Sequence, residues 1–172
     1  MDSEQIRKEL PEEARKKFDD ILYSRVLGAS RQTELICDMF IDIAHDENNG
    51  NNTIVTKINK TAQYYKSTRA IYNAVDILDN KIKKIDSDST DTSEYRNMIV
   101  DTVNSYKSSL AADTEKAAGY AAKLAQNMKS IMVFDYSSTV NSFIKQLSEK
   151  KIIYIPESRA LNGGKPFLKD AV

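Results

Sequence analysis

The chain of 172 residues has one cysteine, one histidine, no tryptophan, three prolines and five glycines. A single cysteine, Cys37, excludes an internal disulfide framework and fits a reducing, cytoplasmic setting. One histidine and one cysteine leave too few ligands for a Cys/His zinc site within the chain, and no metal or other cofactor is expected. The same scarcity argues against a Ser-His or Cys-His nucleophile, because His45 sits in AHDENNGNN, a loop-like helix end. An excess of one charge is also missing: 25 Lys and Arg balance 25 Asp and Glu. No net field therefore draws the chain to nucleic acid or to an anionic membrane. No apolar run approaches the roughly 20 residues that span a bilayer. The N-terminal MDSEQIRKELPEEARKK lacks the apolar stretch of a secretory signal.

What is there is mostly helical periodicity. Phe18, Ile21, Leu22 and Val26 recur at helical spacing, with Gly28 placed to stop that helix. A second helix follows Ser30, with Leu35, Ile36, Met39, Phe40 and Ile43 on one side, and runs out in the turn formers HDENNGNN. Thr53 can cap a third helix carrying Ile54, Ile58, Ala62 and Tyr65. Ser67 or Thr68 can cap a fourth, with Ile71, Val75, Leu78, Ile82 and Ile85. DSDSTDTS (86–93) is too polar to fold alone and reads as a mobile loop. Tyr95, Met98, Ile99, Val103, Tyr106 and Leu110 give a fifth helix, and the Ala-rich EKAAGYAAKLAQNM a sixth. The heptad pattern is not sustained, so the expectation is a globular bundle rather than a coiled coil.

At residue 131 the period changes. IMVF (131–134) is a short apolar run that suits a strand buried on both faces. TVNSFIKQLSEK follows with Val140, Phe143, Ile144 and Leu147 at helical spacing, and then a second apolar run, KIIYI (151–155). This is a β-α-β unit whose crossover length suits parallel strands. The fold expected is an α-helical domain over 1–129, then the start of a parallel, Rossmann-like α/β domain over 130–172, mostly α taken together. A two-stranded parallel sheet has open edges and little buried face. The α/β part is therefore expected to be truncated, the alternatives being a naturally short protein or one completed by a partner.

Ligands of open α/β sheets sit beyond the carboxyl ends of the strands. After the first strand come Ser137, Ser138 and Thr139 at the start of the crossover helix, where N–H groups and the helix dipole favour an anion. After the second come Glu157, Ser158 and Arg159, then Gly163, Gly164 and Lys165. Arg159 is the natural phosphate fork, Lys165 a second cation, and the glycines let backbone approach a ligand. Plainer readings stand beside these. A Ser at a helix start is commonly an N-cap, Gly-Gly a turn, and Arg159 a partner of Glu157 or Asp135. Neither GxGxxG nor GxxxxGK[ST] is present. Cys37 beside Ile36 and Phe40 reads as a buried structural thiol, and Lys81, Lys83 and Lys84 as a solvated helix end.

The stretch IMVFDYSSTVNSFIKQLSEKKIIYIPESRALNGGKPFLKDAV resembles the start of the α/β domain in the alpha, beta and delta regulatory subunits of translation initiation factor 2B. That superfamily also holds methylthioribose-1-phosphate and ribose-1,5-bisphosphate isomerases. The resembling core is a strand, Ser-x-x-Val, a helix, a strand, then Glu-Ser-Arg-x-x-x-x-Gly. SRVLGASRQTELI is similar to the family's Arg-Gly-Ala segment through Gly28 and Ala29, and STRAIYNAV to its Thr-Arg-Pro segment through Thr68 and Arg69. The isomerases' cysteine position is Tyr136 here, their Arg before Gly-Ala is Leu27, and their Pro after Thr-Arg is Ala70. The resemblance thus implies a sugar-phosphate or nucleotide-phosphate pocket, with Arg159 and Arg69 as anion partners, on a non-catalytic, initiation-factor-like protein that assembles with copies of itself. An aldose–ketose isomerase of a phosphorylated pentose is the alternative, and a helical protein-interaction module a third.

Overall fold

The computed structural model describes residues 2–26, 28–67, 71–86, 91–134, 136–148, 150–156 and 164–168. Helices α1 (Ser3–Glu9), α2 (Glu12–Leu22), α3 (Ala29–His45), α4 (Asn51–Tyr65), α5 (Tyr72–Ile82) and α6 (Thr92–Leu124) precede strand β1 (Ser130–Met132). Helix α7 (Ser138–Lys145), strand β2 (Ile152–Tyr154) and helix α8 (Lys165–Leu168) follow. The chain is mostly α and ends in the expected β-α-β start of an α/β unit, its two strands parallel. It packs as two compact units, Met1–Ser108 and Ser109–Val172, which divide within α6. The boundary expected at 129/130 marks a change of periodicity, which is a different property from compactness. Among the described residues no helix is long and apolar enough to cross a membrane.

In the first unit the apolar stripes read from the sequence meet in one core, with Phe18, Phe40, Ile58, Val75, Leu78 and Ile99 almost wholly buried. Three helix starts differ from expectation. The first helix stops at Leu22, and Gly28 instead opens α3 as its N-cap, with φ 83°, a backbone region that favours glycine. Thr53 lies inside α4, whose N-cap is Gly50. Ser67 closes α4 rather than opening α5, since its hydroxyl donates to the Tyr64 carbonyl at 2.7 Å. Thr68 lies outside the described residues. α1 was not expected; Asp2 caps it by accepting from the Glu4 N–H at 3.1 Å.

The turn at 46–50 is fixed rather than loose. Asn49 is buried, its side-chain amide donates to Asp46 Oδ2 at 2.8 Å, and Lys57 donates to Asn49 Oδ1 at 2.9 Å. Arg96, from α6, donates to the carbonyls of Asp46 and Asn49 at 3.2 and 2.9 Å. A wholly buried carboxylate, Asp79, ties α5 to the end of α4: its Oδ2 accepts from Lys66 at 2.7 Å and Lys83 at 2.6 Å. Burial works to lower the Lys66 ammonium, and its bonds to Asp76 and Asp79 outweigh that and raise it.

The fifth and sixth helices are one. SSLAADTEK (108–116) contains neither Gly nor Pro, so nothing in the backbone ends the helix between the two stripes. Of the polar loop at 86–93, residues 87–90 lie outside the described residues. Its end is the first turn of α6, where the Asp91 carboxylate accepts from the Ser93 N–H at 3.0 Å.

In the second unit β1 and β2 pair in register Ser130↔Ile152, Ile131↔Ile153, Met132↔Tyr154. The strands are not buried on both faces. Ile131, Val133, Ile153 and Ile155 pack under α7 and α8, against Val140, Ile144 and Phe167. Met132, Phe134, Ile152 and Tyr154 stand on the other face, exposed. Alternation along the strand decides this: one layer of helix covers one set of alternate residues.

Candidate functional site

The carboxyl edge of the sheet is built by the two segments that leave it. After β1 the chain passes through Tyr136 into α7, which Ser137 caps: its Oγ accepts from the Val140 N–H at 3.4 Å. The cap is the plainer of the two readings of that serine, and it puts one Ser137 lone pair to structural use. Ser138 is the first residue of α7. Ser142 in α7 and Gln146, its C-cap, donate to the Glu115 carboxylate at 2.8 and 2.7 Å, which ties α7 to the last turns of α6.

After β2 the chain returns at Gly164 to the strand it has just left. Gly164 is buried, and a Cβ there would stand 2.8 Å from Ile155 Cγ2 and 3.2 Å from the Pro156 carbonyl oxygen. Only a residue without a side chain permits that approach. Lys165 follows, exposed, at the start of α8, and Phe167 turns fully into the core. The Phe167 ring lies 5.6 Å from that of Tyr136, tilted by 42°. This aromatic contact joins the segment after β1 to the segment after β2.

Of the residues expected to bind phosphate, Ser137, Ser138, Gly164 and Lys165 thus belong to the two post-strand segments at one edge of the sheet. Glu157, Ser158, Arg159, Gly163 and Arg69 lie outside the described residues, as does Asp135. Tyr136 is partly buried and packs against the cluster of Val133, Ile144 and Phe167. Cys37 is fully buried in the other unit, and burial pushes its thiol up to about 12, which leaves no thiolate for chemistry at neutral pH. Among the described residues no three His, Cys, Asp or Glu gather as metal ligands would.

A feature that the sequence reading passed over lies at the opposite, amino edge of the sheet. Met128, Lys129, Lys150, Lys151 and Ile152, with the amides of Gln126 and Asn127, line an open cleft of about 610 Å3. Its signal in the sequence is the placing of lysines immediately before each strand, Lys129 before β1 and Lys150-Lys151 before β2.

Comparison with curated proteins gave no match. Comparison with protein families matched residues 28–172 to the initiation factor 2 subunit family. That span holds the helices from α3 onward and the whole β-α-β unit, so the chain belongs to the initiation factor 2 subunit family.

Proposed function

We propose that the chain is a binding and regulatory protein of the initiation factor 2B type, which holds a phosphorylated sugar or nucleotide at the carboxyl edge of its parallel sheet. The observation that carries this reading is the approach of Gly164 to the end of β2, with Lys165 beside it and the Tyr136–Phe167 contact closing the two segments together. A buried glycine, an exposed cation and a helix start supply close backbone, charge and N–H groups. Arg159 supplies the fork for the phosphate, and Ser138 a hydroxyl. The Tyr136 ring, packed in the cluster where the isomerases carry their cysteine, favours binding over proton transfer. Assembly with copies of itself belongs to the same reading; a monomer in sedimentation equilibrium at micromolar concentration removes that part.

Thermal unfolding of the full chain with ribose 5-phosphate or adenosine monophosphate tests the pocket. A ligand at about 100 times its Kd stabilises by about 2.7 kcal/mol, and Tm should rise accordingly. Arg159→Ala should abolish the rise. A rise unchanged in that variant removes Arg159 from the site, and no rise with either compound contradicts the pocket.

A further inference from the structure

The turn between α3 and α4 holds a chemically labile pair, Asn49-Gly50. Asparagine is thermolabile because the backbone nitrogen of the next residue can attack its side-chain amide, and a following glycine, with no Cβ, shields that nitrogen least. The fold does not ask for glycine at position 50. Its φ of -80° and ψ of 170° suit any residue, and a Cβ there would meet nothing within 4 Å among the described residues. As the N-cap of α4 it makes no side-chain bond, where Ser or Asp would. Asn49 itself is held at each of its polar groups. Its N–H donates to the Asp46 carbonyl at 3.0 Å, and its carbonyl accepts from Arg96 at 2.9 Å. Its side-chain amide donates to Asp46 Oδ2 at 2.8 Å and accepts from Lys57 at 2.9 Å. Bringing Asn49 Cγ onto the Gly50 nitrogen takes rotation about the Cα–Cβ and Cα–C bonds of Asn49, which these four contacts resist.

We propose that Asn49 is a hydrolytic modification site gated by this turn, shut while Arg96 and Asp46 hold it and open when the turn loosens. In the open turn the Gly50 nitrogen bonds to Asn49 Cγ. The Cγ–Nδ2 bond breaks, and ammonia leaves with the proton that Gly50 gives up. Water then opens the cyclic imide at either carbonyl, which leaves aspartate or isoaspartate at position 49. The product cannot restore the turn. The donor to Asp46 has become a second carboxylate, and Lys57, 3.6 Å from Asp46, has to serve both. Isoaspartate also routes the backbone through Cβ just before α4. The change is one-way, so it records each opening of the α3–α4 turn that lasted long enough to react. The proposal lies in the helical unit and stands without the phosphate pocket.

The test incubates the full chain at neutral pH beside a synthetic peptide of residues 45–53, and peptide mass spectrometry reads amide against acid at position 49. The folded chain should convert at under about one-tenth of the peptide's rate, since reaction waits on local opening. In unfolding urea it should match the peptide, which reads the gate without any variant. Arg96→Met leaves the Asp46 and Asn49 carbonyls without that donor and should speed conversion in the folded chain about tenfold. Gly50→Ser fits the open space, so circular dichroism should show the fold kept, and in urea it should convert far more slowly than the parent. N49D should lower the urea midpoint of unfolding. A folded chain that converts as fast as the peptide overturns the gate, as does Arg96→Met converting at the parent's rate. No conversion in urea, or Gly50→Ser converting there as fast as the parent, overturns the site. Should Arg96→Met fail to fold, the comparison of folded and unfolded parent still decides.

Discussion

Arg7 reaches across from α1 to Asp19 on α2 with both ends of its fork, at 2.7 and 2.9 Å. That hydrogen bonding holds the Asp19 carboxyl below its ordinary range, against the opposing effect of burial. A carboxyl lowered in the folded state contributes stability that is present above its unfolded value of about 3.9 and lost as pH falls through the lower folded value. Arg7→Met should therefore flatten the acid limb: urea unfolding at pH 6 and pH 3 should show the parent protein losing more stability than the variant. Equal losses contradict the assignment. At this scale the sequence is informative where a residue's role is set by its own neighbours. Cys37 beside Ile36 and Phe40 reads as buried and is; Ser137, expected to hold phosphate with an N-cap as the plainer reading, is the N-cap of α7. Gly28, Thr53 and Ser67 do not follow their expected roles, because a cap is defined by where the preceding turn ends, which depends on packing elsewhere. Arg96 could not be paired with the 46–50 turn from the sequence at all, since the contact spans 47 to 50 residues.

Helices are joined by few buried charges, and Asp79 is the strongest case. It is wholly buried and binds Lys66 and Lys83, whereas Asp38 meets Lys107 at 2.7 Å with both side chains about a third exposed. Asp79→Ala leaves Lys66 partly desolvated with Asp76 alone, and should cost about 3 kcal/mol. Asp38→Ala should cost under about 1 kcal/mol, because an exposed pair is screened. Denaturant unfolding compares the two, and similar losses contradict the ranking. The elements themselves were legible from periodicity: the apolar stripes of α3, α4, α5 and α6 are the stripes that the core buries, except that Met98 is exposed and Leu110 lies outside the core. Two features were not. The join of the fifth and sixth helices needed the observation that nothing breaks SSLAADTEK, and the one-sided burial of the strands needed the number of covering layers. An apolar run of four residues is the same in a strand covered once or twice.

The two compact units have very different cores. Among the described residues the first buries some twenty apolar residues, whereas the cluster of the sheet unit has three that are buried, Val133, Ile144 and Phe167. Local stability follows buried apolar contact, so the second unit should open first. Limited proteolysis should cut within 109–172 while leaving a resistant fragment that ends near Ser108, and amide exchange should be slower in α3 and α4 than in β1 and β2. Resistance of the sheet unit equal to that of the bundle contradicts this. The family was legible because its residues sit close together in sequence, in Ser-x-x-Val after one strand and Glu-Ser-Arg after the next. The lysine cleft was not, because Lys129 and Lys150 are 21 positions apart and meet only when the strands pair in parallel. Amide NMR reads the carboxyl edge of the sheet residue by residue, apart from the amino edge. Titration of the labelled full chain with ribose 5-phosphate, against ribose as control, is the most direct measurement of the central claim. The account predicts saturable shifts at Ser137, Ser138, Gly164 and Lys165 with the phosphate ester alone. Shifts confined to Lys129, Lys150 and Ile152, or no saturable shift at either edge, contradict it.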